Sequence, residues 1–165
     1  MPNTSVKVGD STNEASASTL PDKKAFCQEV KAVVRTAGKG FSPLRGTARK
    51  DNTEDVSIWE ATKSVQDFRC AVYHTRVLGD YVYCVQAHPD CKAAQDGFYL
   101  FSSYLMSTCY PGWSWQDSRL STWDSYAQRR MVMATNDEGL RISLETGRAK
   151  DSYSRCELTL TFELL

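Results

Sequence analysis

The clearest hydrophobic pattern lies at the end of the chain. Cys156, Leu158, Leu160, Phe162 and Leu164 alternate with Glu157, Thr159, Thr161 and Glu163. A period of two with one apolar and one polar side marks an antiparallel strand, one face on a core and the other in water. That strand is predicted over 155–164. Two β-branched and aromatic runs, 68–77 and 81–87, are joined through Leu78-Gly79-Asp80 and predict a hairpin. Val56, Ile58 and Trp59 predict another strand, and 130–134 and 140–145 two more.

Elsewhere the period is helical. Phe26, Val30, Val33, Val34 and Ala37 recur on one helical face, after a Pro21-Asp22 start and before Gly38. A second helix is predicted from Asp90 as N-cap to about Cys109, with Ala94, Phe98, Phe101 and Leu105 as its apolar stripe and Pro111-Gly112 as its stop. Residues 38–52 read as a glycine-punctuated loop and 110–127 as a long irregular segment. The order α-β-β-β-α-β-β-β predicts an α+β fold, an antiparallel sheet covered on one face by two helices. Its two halves share a loose element order without a residue-level repeat.

Composition narrows the class. The chain has 165 residues, with 20 basic and 20 acidic side chains and a formal net charge of zero. That is one ordinary domain with no basic field for nucleic acid, and no apolar run reaches the length of a membrane helix. Residues 1–19 are rich in Ser, Thr and Asn and read as a flexible polar leader, with 20–165 as a single α+β domain. The leader lacks the charged and apolar regions of a signal peptide as it stands. The expected compartment is therefore periplasmic or secreted with a signal peptide removed, or, as the alternative, cytoplasmic.

Six cysteines stand at 27, 70, 84, 91, 109 and 156, with no C-x-x-C pair. An even set spread along the chain favours an exported, disulfide-bonded protein. In the hairpin, Cys70, Val72 and His74 share a face, as do Val82, Cys84 and Gln86. A three-residue turn near Leu78 or Gly79 sets both groups on the same side and makes Cys70 and Cys84 disulfide candidates. A two-residue Gly79-Asp80 turn sets them on opposite sides. Cys91 and Cys109 sit at opposite ends of one predicted helix, about 27 Å apart at 1.5 Å per residue, and cannot bond. Cys27 and Cys156 either pair with each other or are simply buried.

Chemistry-bearing patterns are few. Cys70-x-x-x-His74 and Cys84-x-x-x-His88-x-x-Cys91 hold both histidines, but the spacing matches no familiar zinc site, and no metal or cofactor is expected. Cys91 at a helix start, three residues after His88, would suit a thiol nucleophile. From Lys31 to Lys50 there are six basic residues and no acidic one, followed at once by Asp51, Glu54 and Asp55. The most unusual stretch holds Tyr110, Trp113, Trp115, Trp123 and Tyr126, residue types that dominate binding hot spots.

The leading expectation is a non-catalytic protein-binding module, an inhibitor or immunity-type protein, that contacts another protein through the Tyr110–Tyr126 segment. Neither nucleic acid nor membrane insertion is expected. Two alternatives stand beside it: a small thiol-dependent enzyme using Cys91 and His88, and a domain that stacks a sugar or other small ligand on its tryptophans.

Overall fold

The computed structural model describes residues 21–88, 90–120, 129–148 and 156–165. Among these residues two α-helices, α1 (Lys23–Val34) and α2 (Cys91–Tyr104), accompany eight strands. The strands are β1 (Arg45–Ala48), β2 (Val56–Ala61), β3 (Arg69–Thr75), β4 (Gly79–His88), β5 (Gln116–Leu120), β6 (Arg129–Thr135), β7 (Leu140–Arg148) and β8 (Cys156–Leu164). They form one antiparallel sheet in the order β1-β2-β3-β4-β8-β7-β6-β5. Each half is a helix followed by four strands, and the halves meet where β4 pairs with β8.

The α+β class with two helices on one sheet face is as expected, with two strands more than the pattern of the chain predicts. Both additions are edge strands. β1 lies in the expected loop and β5 in the expected irregular segment, and each pairs on one side only among the described residues. The first helix also ends sooner than Gly38. It stops at Val34, a 3-10 turn follows over Ala37–Lys39, and Gly40 rather than Gly38 takes the left-handed conformation at φ +59°. Its start falls later than a first turn holding Pro21 and Asp22: the helix opens at Lys23, and Asp22 is its N-cap, its carboxylate accepting from the Lys24 N–H at 3.0 Å. In α2, Asp90 accepts from the Ala93 N–H at 2.7 Å, and the last turn widens into a π-helical turn over Leu105–Cys109.

The core lies between the helices and one face of the sheet. Phe26, Val30 and Val33 of α1 and Phe98 and Phe101 of α2 meet Val72, Val82, Ile142, Leu144, Leu158, Leu160 and Phe162 from alternate strand positions. Phe26 and Phe101 approach to 4.8 Å between ring centroids, and Phe68 joins Phe101 at 5.2 Å. Burying each such ring adds about 1.5–3 kcal/mol of apolar transfer free energy. Among the described residues no helix is long and apolar enough to cross a membrane.

All six cysteines are bonded. Thr75 stands opposite Gly79, which leaves a three-residue turn, so the hairpin groups share a side and Cys70 bonds Cys84. Cys27 and Cys156 do not pair with each other. Cys27 bonds Cys109, fastening α1 to the π-helical turn, and Cys91 bonds Cys156, fastening the start of α2 to the start of β8. The helices dock so that Cys27 and Cys109 lie 5.0 Å apart between Cα atoms, and Cys91 and Cys156 4.9 Å.

Candidate binding surface

The aromatic segment after α2 folds back on the core. Tyr110 and Trp113 lie 4.3 Å apart between ring centroids, and Trp113 and Trp115 stack at 6.3 Å. The Trp115 indole N–H donates to the Tyr110 carbonyl at 3.0 Å. All three are half-buried against the core cluster, and burial pushes the Tyr110 phenol up to about 12 despite the nearby Arg35. This packing gives the three a structural role at the core margin, beside the Cys27–Cys109 bond. Trp123 and Tyr126 lie outside the described residues.

Cys91 offers no thiol, because its sulfur is bonded to Cys156. His88 Nε2 instead meets Gln86 Oε1 at 2.6 Å, and burial lowers the imidazole pKa, with Asp90 opposing. The thiol-enzyme alternative therefore lacks its nucleophile in this oxidised form. The hairpin Cys/His spacing likewise gives its Cys70, Cys84 and Cys91 sulfurs to disulfides, so they are not available to a metal.

The β3–β4 hairpin is more distinctive than the chain pattern suggested. Its turn is Arg76-Val77-Leu78, and Val77 is 90% and Leu78 66% exposed, the highest values among the described large apolar residues apart from Leu165. Turns of this kind normally carry Gly, Asn, Asp, Ser or Pro. The loop is nevertheless held from several sides. The Leu78 N–H donates to Thr75 Oγ1 at 2.8 Å, and Gly79 takes φ +75°, which a side chain would strain. The Arg76 N–H donates to the Asp55 carbonyl at 3.1 Å, and its guanidinium reaches the Asp55 carboxylate at 3.4 Å.

Below the turn a polar cluster anchors the hairpin. His74 Nδ1 meets Asp80 Oδ1 at 2.7 Å across the strands, and Arg45 Nη2 reaches the same oxygen at 3.5 Å. The Arg45 guanidinium lies 4.1 Å from the centre of the Trp59 ring, a cation–π contact. Gly40 packs so closely here that a Cβ on it would stand 2.8 Å from Asp80 Oδ2. Part of the basic run from Lys31 to Lys50 is thus used to fix this corner.

The side of the sheet away from the helices forms a second surface. Tyr73 and Tyr81 stack at 4.8 Å with ring planes 9° apart, and Tyr83 meets Tyr73 edge-on at 6.2 Å. Burial raises the pKa of Tyr81, with Tyr73 and Glu163 adding, and that of Tyr83, with Glu157 foremost among the neighbours that add. Both phenols are neutral at physiological pH. Next to them an open cleft of about 610 Å³ is lined by Arg49, Lys50, Glu60, Arg69, Tyr73 and Tyr83, among others. Glu60 Oε1 accepts from Arg49 Nε at 3.0 Å and lies 3.8 Å from Arg69 Nη2.

Neither surface was singled out from the sequence. The signals were present: two consecutive aliphatic residues in a tight turn, and tyrosines on the polar phase of β3 and β4. No protein-family model matches the chain, and no curated protein matches it.

Proposed function

We propose that the protein is a non-catalytic binding module of the periplasmic or secreted space, of the inhibitor or immunity type. It inserts the β3–β4 hairpin tip into an apolar recess of another protein. The observation that carries this reading is the pair of exposed aliphatic side chains, Val77 and Leu78, on a turn whose backbone is already fixed. Burying both would add about 3–6 kcal/mol of gross apolar transfer free energy. A tip ordered in advance loses little conformational entropy on binding, so more of that term survives as affinity. The three disulfides support the compartment, since such bonds persist in oxidising spaces and are rare in the cytosol.

The test compares the wild-type chain with Val77→Asp/Leu78→Asp, each immobilised and exposed to the periplasmic or secreted fraction of the source cell. The expected result is a protein held by the wild type and lost by the variant, while the variant's Tm stays within about 3 °C because the tip buries nothing in the free chain. Retention of the same protein by both chains, or of none by the wild type, overturns the reading.

A further inference from the structure

The sheet face away from the helices has no covering element among the described residues, and it is large. Eight strands about 4.8 Å apart and some seven residues long at about 3.4 Å each give roughly 800 Å². That matches the area one partner contributes to a standard protein interface, about 800 Å². The face is mixed: Ile58, Tyr73, Tyr83, Val85, Met131 and Met133 stand on it, each half-buried, among Thr159, Thr161, Ser143 and the charged side chains of β7 and β8.

Its charges are divided between the two halves of the sheet. On the β1–β4 half, Arg49, Lys50 and Arg69 outnumber Asp51 and Glu60, an excess of one positive charge. On the β5–β8 half, Glu145, Glu157 and Glu163 outnumber Arg129 and Arg141, an excess of one negative charge beyond the Arg129–Glu145 and Arg141–Glu163 pairs made within the chain. The whole chain has a formal net charge of zero, so two copies meet without long-range repulsion.

We infer that the occupant of this face is a second copy of the chain, packed sheet on sheet about a two-fold axis parallel to the strands. Face-to-face packing with nearly aligned strands is the common arrangement of two sheets. This axis sets the β1–β4 half of one copy over the β5–β8 half of the other, positive excess over negative. It also keeps cross-strand rows in register. Arg69, Val85, Thr159 and Glu145 form one row, and Tyr73, Tyr81, Glu163 and Arg141 another. β3 and β7 are equally far from the β4–β8 centre, third and sixth in the sheet order. Arg69 therefore lies over Glu145 of the second copy, and Tyr73 over Arg141 of the second copy. Because the interface is isologous, each of these contacts occurs twice.

This inference does not depend on the hairpin tip, and its test is separate from partner capture. Sedimentation equilibrium of the full oxidised chain at about 50 µM, well above the micromolar Kd of a modest interface of this size, should give twice the 18.5 kDa monomer mass. Arg69→Glu and Glu145→Arg, each on the solvent side of the sheet, should weaken the dimer about tenfold or more by placing like charges together, while the unfolding midpoint of the Glu145→Arg chain reads separately the loss of its Arg129–Glu145 pair. The combined Arg69→Glu/Glu145→Arg chain should regain much of the loss, because the pair is reversed rather than removed. A monomer of 18.5 kDa at this concentration overturns the inference. So does a dimer indifferent to both single substitutions, which would place the contact elsewhere.

Discussion

Tyr110, Trp113 and Trp115 on one side of the molecule, and Tyr73, Tyr81 and Tyr83 on the other, are two aromatic trios with similar internal spacing. The first spans 4.3 and 6.3 Å between successive ring centroids; in the second, Tyr73 lies 4.8 Å from Tyr81 and 6.2 Å from Tyr83. Their surroundings separate them. The first follows the π-helical turn, packs on the core cluster and gives its indole N–H to a backbone carbonyl. The second projects from β3 and β4 on the side opposite the helices, beside a cleft. Aromatic density alone does not separate the two trios; the element each sits on, and what that element packs against, does.

Substitutions on the two sides sharpen this contrast. The largest effect is expected in the shared core: Phe101→Ala, at a position 2% exposed and touching Phe26 and Phe68, should cost about 3–5 kcal/mol in urea unfolding. Trp113→Ala should cost about 2 kcal/mol, less because the ring is only half-buried, yet well above a surface change. An unchanged unfolding midpoint for this variant would remove the structural role given to the first trio. Tyr83→Thr keeps a strand-favouring residue on the uncovered face and should change monomer stability by under about 1 kcal/mol. A loss as large as that of Trp113→Ala would erase the distinction.

The smallest effect is a pH dependence. Burial holds the folded His88 below its ordinary 6.5, so the unfolded chain takes up the proton first as pH falls. Its contribution to stability is present above about 6.5 and is lost as pH drops toward the folded value. Burial raises Glu29 above 4.5, against the Gln66 N–H at 2.6 Å, and this works in the opposite sense at lower pH. Comparing the wild type with His88→Gln isolates the first term: the stability gap between pH 7.5 and about pH 5.5 should shrink in the variant. An identical gap in both chains would contradict the assignment.

The parts of the fold legible in the sequence are those with a strong period. β8, buried on one side and wetted on the other, was readable almost residue by residue, and so was the start of α2 at its Asp90 cap; α1 opens just after Asp22, which caps it instead of lying in its first turn. The two missed strands, Arg-Gly-Thr-Ala and Gln-Asp-Ser-Arg-Leu, are short and polar. As edge strands they take their shape from one neighbour rather than from burial on a core. Cys70–Cys84 followed from hairpin register once the turn length was settled. Cys27–Cys109 and Cys91–Cys156 depend on how helices dock across 82 and 65 residues, which no local pattern encodes. Of the five aromatic residues proposed for binding, Tyr110, Trp113 and Trp115 lie half-buried against the core margin, a placement equally hidden from the sequence. The π-helical turn redirects the chain after α2, and nothing in the spacing of the tryptophans announces it.

The most direct test of the account places a photo-crosslinking amino acid at position 78 in one chain and at position 113 in another, each expressed in the source cell and irradiated there. A covalent adduct with a distinct protein is expected from position 78 and none from position 113, where the side chain packs on the core margin. An adduct from position 113 with none from position 78 would contradict it, returning the binding surface to the tryptophan segment.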